Sequence, residues 1–186
     1  DGDADQYLQT NGSGVLSWAT VSASTGNDYA FASNQGGTAM SGSTVTITNI
    51  PSNATKIDIM FNNVSYSANT DWSMRLGTSA GLKTTGYDSH AWYFGYNTVG
   101  AAYTNRFNMV HNWASASFVY IGNVHLNKSD DDQWHGWWEF WETTTNNYRQ
   151  GGMGYIDLAA TLDRIAFFPD SGSFDNGYYT LNVYTE

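Results

Sequence analysis

Cysteine is missing from all 186 residues, which rules out disulfide staples, thiolate metal sites and thiol nucleophiles together. Basic residues are scarce, at 7 against 17 acidic ones, and the formal charge of -10 leaves no stripe able to displace counterions from a phosphate backbone. Nucleic acid is therefore excluded as a natural partner, and the same charge argues against anionic membrane surfaces. Long apolar runs are absent too: no stretch approaches the roughly 20 residues that a membrane-spanning helix needs, so no membrane insertion is expected. No charged segment followed by an apolar one opens the chain, so an extracellular location implies a leader removed beforehand or release by cell lysis. Charged residues make up only 13%. The polar surface must come mainly from Ser, Thr, Asn and Gly, as in all-β extracellular proteins.

Aromatic residues are plentiful: 13 Tyr, 9 Phe and 8 Trp. Four of the tryptophans fall in one run of nine residues, QWHGWWEFW, from Gln133 to Trp141. Side chains alternate between the two faces of a strand. Trp137 and Trp141 therefore share a phase with His135 and Glu139, and Trp134, Trp138 and Phe140 occupy the other. One phase faces a core while the other meets solvent or a partner. At the usual rise Trp137 and Trp141 stand about 13 Å apart, more than one pyranose ring. Stacking planes with hydrogen-bonding neighbours suit glycan recognition, and they also suit a subunit contact.

The remainder reads as strand and turn. Asp1 to Asn27, rich in Gly, Ser, Thr and Asp, reads as an irregular arm or shaft connector, with a head domain from residue 28 to 186. TVTITNI places Val45 and Ile47 in one phase, and KIDIMFNNV sets Ile57, Ile59 and Phe61 against Asp58 and Met60. With Pro51 in the turn between them, the two predict a hairpin. SFVYIGNVHLN predicts a central strand covered on both sides at its first end. Further runs at Trp72–Leu76, Ala91–Gly95, Arg106–Trp113, Gln133–Thr145, Met153–Leu158, Leu162–Phe168 and Tyr178–Tyr184 are β-branched or aromatic. About ten strands without an amphipathic helix predict an antiparallel β-sandwich of jelly-roll type, with a closed barrel as the alternative.

Asp130, Asp131 and Asp132 ahead of His135 offer hard oxygen ligands, but their spacing is not that of an EF-hand loop, and no metal is assigned. His90, His111, His125 and His135 form no HExxH or HxH pattern. Glu139 and Glu142 point to opposite faces of a strand, a poor pair for a glycosidase. No cofactor and no enzymatic activity are expected. Gly77, Gly81 and Gly86, together with Gly151, Gly152 and Gly154, read as turns and bulges, since no helix or P-loop lysine follows them.

Several phrases resemble the C-terminal modules of tailed-bacteriophage tail fibres. QYLQTNGSGVLSWATV resembles the shaft motif "GQVLTSNGSG…W", and ITNIPSNATKIDIMFNNVS is similar to "GIPxxVKRITVMFNGVS". WSMRLGTSAGLKTTGY resembles "LIQLGTSGGIETTGY", and AATLDRIAFF with GSFDNGYYTLNVY is similar to "AALDRVRI…FDAGSINILYE". These phrases keep the family's order and span most of the chain, thinning between His90 and Tyr148.

The resemblance implies a virion component outside the cell, a fibre tip that assembles as a homotrimer, joins the rest of the fibre through its arm and contacts a host receptor. Combined with the aromatic run, it predicts a non-enzymatic adhesin for a surface glycan, with Trp137, Trp141, His135 and Glu139 as binding residues. Trp92, Tyr93, Tyr96 and Trp113 follow from the neighbouring variable section. A structural fibre or connector without receptor binding, a tailspike-like polysaccharide-binding or depolymerase domain, and a protein receptor are the alternatives.

Overall fold

The computed structural model describes residues 6–10, 13–20, 32–33, 37–94, 99–111, 115–130, 132–144 and 148–185. Sixteen strands lie among them. They are β1 (Gln6–Thr10), β2 (Leu16–Thr20), β3 (Ala32–Ser33), β4 (Thr38–Ala39), β5 (Val45–Thr48), β6 (Ala54–Tyr66), β7 (Trp72–Thr78) and β8 (Gly81–Leu82), followed by β9 (Tyr87–Phe94), β10 (Val99–Tyr103), β11 (Phe107–Val110), β12 (Tyr120–Asp130), β13 (Gln133–Glu142), β14 (Arg149–Asp157), β15 (Arg164–Pro169) and β16 (Phe174–Thr185).

β1 and β2 pair as an antiparallel hairpin, Leu8 opposite Trp18, where the composition had predicted an irregular arm. The apolar residues there are too sparse to give a periodic face, but the ladder is made by backbone groups that composition does not report. β3, β4 and β8 are two residues each. They are too short to show alternation, and together with β1, β2 and β10 they are the strands beyond the ten expected.

Every strand except β1 and β2 belongs to one of two antiparallel sheets that pack as a sandwich. The larger has nine strands in the order β10-β9-β14-β13-β12-β6-β16-β3, with β4 also on β16, and the smaller has five in the order β11-β7-β15-β5, with β8 also on β7. Aromatic rings bridge the two layers. Trp72 of β7 meets Phe140 of β13 with centroids 4.9 Å apart, and Phe61 of β6 meets Phe167 of β15 at 5.0 Å. Ile57, Ile59, Val124, Leu126, Leu76 and Ile165 complete a core from which water is excluded. Burying such side chains contributes roughly 1.5–3 kcal/mol each, so this interdigitated layer is the main source of stability.

The predicted hairpin around Pro51 does not form. β5 pairs with β15 in the smaller sheet whereas β6 pairs with β12 and β16 in the larger, so the turn carries the chain from one layer to the other. The alternation of both runs was read correctly, because each buries one face against the same core. Which strand each one pairs with is not a property of either run.

A bulge in β6 shifts its register with β12 by one residue. Phe61 faces Gly122 and Val64 faces Tyr120, so Asn62 and Asn63 together oppose Ile121. Asn63 takes φ 54°, a left-handed conformation that asparagine tolerates better than most residues. Opposite it Gly177 has φ 94°, and a Cβ there would fall 2.6 Å from the Asn63 carbonyl oxygen. The extra residue returns Val64 and Tyr66 to the core after the polar pair.

Candidate ligand-binding face

β13 sits near the middle of the larger sheet, between β12 and β14. Its two phases separate cleanly. Trp134, Trp138 and Phe140 are buried among the core residues, whereas Trp137 and Trp141 are 43% and 42% exposed on the outer face. His135 and Glu139 lie on that outer face with them, so the four first-rank candidates share one surface. Glu142 belongs to the inner phase, is buried, and accepts a hydrogen bond from the Thr144 amide.

Register lays the outer side chains out in rows across the strands. Asp58, His125, Trp137, Met153 and His90 form one row from β6 to β9. The next contains Met60, Asn123, Glu139, Gly151 and Trp92, and a third contains Ile121, Trp141, Arg149 and Phe94. Met60, Met153, Phe94 and Ile121 are exposed beside the tryptophans. This amounts to a broad apolar patch with polar groups set into it, the composition that marks an interaction surface.

The rings on this face are held in place by their neighbours. His125 stacks on Trp137 with centroids 5.1 Å apart, and its Nδ1 lies 2.7 Å from Asp58 Oδ1. Lys56 Nζ reaches the other Asp58 oxygen at 2.9 Å. Burial alone would raise the Asp58 carboxyl, but hydrogen bonds and charge from Lys56 and His125 outweigh it and hold the group below its ordinary value. His135 stacks on Tyr155 at 5.8 Å, and the Arg149 guanidinium lies over the Trp141 ring, 4.5 Å from its centroid.

Two hollows open on either side of β13. The first, about 310 Å³, is bounded by Trp92, Phe94, Trp137, Glu139 and Arg149 around Gly151. The second, about 360 Å³, is bounded by Met60, Asn62, Ile121, Asn123, Glu139 and Trp141. Glu139 is the one residue common to both.

Not every residue expected on this face reaches it. Tyr93 follows Trp92 and so turns the other way: it is 2% exposed and packs against Tyr148 at 5.2 Å, unable to meet a ligand on the outer face. Trp92 is on the outer face and half-buried, while Tyr96 and Trp113 lie outside the described residues. Ile121 was expected to be covered and is exposed, because nothing among the described residues overlies the outer face at that end of β12. Gly151, Gly152 and Gly154 are neither turns nor bulges but interior positions of β14 in unbroken register with β13 and β9. A Cβ on Gly152 would fall 2.1 Å from Trp138 Cζ2, so that glycine makes room for the buried indole.

Arg149, Phe94, Met60, Asn123 and the Asp58–His125 pair were missed. Phase within each strand placed several of them on a polar or mixed face, but only strand order brings those faces together. His111 lies elsewhere, with Nδ1 2.6 Å from the Tyr103 hydroxyl and 3.4 Å from Asp71. Asp131 is outside the described residues, and among those described no three His, Asp or Glu side chains are grouped to hold a metal ion.

No protein-family model and no curated protein sequence matches the chain.

Proposed function

We propose that this chain is the receptor-binding tip of a bacteriophage tail fibre, a non-enzymatic adhesin whose sandwich, of jelly-roll type in this reading, grips a glycan on the host surface. The observation that carries the reading is the exposure of Trp137 and Trp141 on a sheet face whose opposite side already closes the core. A folded chain gains nothing by itself from leaving two indoles in water, so a flat apolar partner is the natural complement. Sugar rings present such faces, and Glu139, Asn123 and His135 stand where ring hydroxyls would be met. The phrases shared with fibre tips supply the setting. Threefold display on several fibres would multiply weak single-site contacts into firm adsorption.

The test is adsorption of the purified protein, in its native assembly, to bacteria or their extracted surface polysaccharide. Trp137→Ala and Trp141→Ala should each lower binding by about five- to thirtyfold, the equivalent of about 1–2 kcal/mol, while the oligomeric mass stays unchanged. Normal adsorption by both variants, or dissociation of both into monomers, would refute the assignment.

A further inference from the structure

We infer that the outer face takes a neutral oligosaccharide laid across the strands, one part in the hollow over Gly151 and another in the hollow beside Met60, with Glu139 between them. This rests on the carbohydrate-binding reading above and deepens it. Trp137 and Trp141 are spaced along β13. The hollows instead lie on opposite sides of β13, one toward β9 and the other toward β6.

Gly151 explains the first hollow. In the row Met60, Asn123, Glu139, Gly151, Trp92 it is the position without a side chain, and the Trp92 indole lies against its α-carbon, where a Cβ would stand 3.0 Å from Nε1. Trp92 and Phe94 form one wall, and Trp137 with Glu139 the other. The second hollow lies beside the bulge in β6, bordered by Asn62, whose amide donates to the Tyr178 hydroxyl at 2.9 Å. From β9 to β6 is four strand spacings, about 19 Å, which a single sugar ring cannot bridge.

Charge selects the kind of chain. Among the described residues the Glu139 carboxylate has no hydrogen bond or ion pair, and it faces both hollows of a molecule whose formal charge is -10. A uronate or phosphate crossing the face would be set against it. A cationic sugar would meet Arg149 in the first hollow, where an anionic one would still stand beside Glu139, so the two charges together favour neither sign there. A neutral chain avoids both conflicts, stacks its apolar faces on Trp92, Trp137 and Trp141, and offers hydroxyls to Glu139, Asn62 and Asn123.

The experiment is a printed array of neutral, acidic and amino-sugar bacterial glycans, from single sugars to hexasaccharides, probed with the intact protein and two variants. Phe94→Glu blocks the first hollow and Met60→Glu the second; both sites are exposed, at 51% and 56%, and thermal melting checks that the fold is kept. The expected result is retention of neutral glycans only, rising with length, with each variant lowering the hexasaccharide signal about tenfold and a disaccharide responding to one variant alone. Equal retention of acidic glycans, or of single sugars and hexasaccharides, would overturn the inference. So would Trp137-dependent binding that neither glutamate variant disturbs, an outcome that leaves the carbohydrate-binding reading standing. Failure to retain any glycan would remove that reading and this inference together.

Discussion

His125 and Trp137 face each other across β12 and β13 as a parallel stack, their planes inclined by 17°. Because His125 is in turn hydrogen-bonded to Asp58, and Asp58 to Lys56, the most exposed part of the tryptophan platform is braced through three strands. A ring already held flat loses little freedom when a ligand stacks on it, and this raises affinity without any added contact.

The proposed reading requires the platform to stay open in the trimer that it implies. Acrylamide quenching of tryptophan fluorescence in the assembled protein should fall when Trp137→Phe and Trp141→Phe are combined, since Trp72, Trp134 and Trp138 are sealed in the core. Unchanged quenching in the double variant would mean that the two indoles are covered by a neighbouring subunit.

The two phases of β13 should differ sharply in their effect on folding. Trp138→Ala empties a fully buried site and should reduce the unfolding free energy by about 3–5 kcal/mol, whereas Trp137→Ala should reduce it by less than about 1 kcal/mol. Gly152→Ala, which drives a methyl into the Trp138 ring, should cost about 1–3 kcal/mol. Urea denaturation of the three variants measures all of these, and equal losses for Trp137→Ala and Trp138→Ala would contradict the assignment of faces.

Asp58 links the platform to acid pH. Its folded carboxyl titrates below the ordinary 3.8, because Lys56 and His125 overcome the burial that would raise it. The unfolded chain therefore takes up this proton first as the pH falls. The stability Asp58 contributes is present above 3.8 and lost as the pH drops through its lower folded value. Thermal melting of Asp58→Asn against the parent protein should show a gap at neutral pH that narrows in strong acid; a gap that widens there would reverse the sign.

At the alkaline end the buried tyrosines act. Burial pushes the hydroxyls of Tyr66, Tyr87 and Tyr120 above their ordinary 10.0, and the neighbouring Tyr120 raises Tyr66 further. The unfolded chain releases these protons near 10.0 while the folded one keeps them, so stability holds below that pH and declines above it. Tyr66→Phe should flatten the decline. Unfolding measured across alkaline pH tests this, and a parent protein that gains stability above 10.0 would disprove it.

Much of this surface was legible in the sequence, residue by residue. Trp137, Glu139 and Trp141 were placed on one face, and Trp138 and Phe140 on the other, because a strand permits only two directions. The same rule, applied within β9, would have removed Tyr93 from the candidates. What could not be read was partnership: Arg149 beside Trp141, His125 beneath Trp137 and Gly151 between Glu139 and Trp92 come from strands far apart in the chain.

The amino-acid sequence alone determined the all-β class and the in-or-out direction of the longer strands such as β6 and β13, since alternation and turn chemistry are local and act over a few residues. Only the tertiary structure decided that the chain crosses between layers at Pro51, that three glycines of β14 make room for neighbouring side chains, and that two hollows meet at Glu139. Strand order and register follow from how all the apolar faces close on one core at once, a collective choice that no single segment makes.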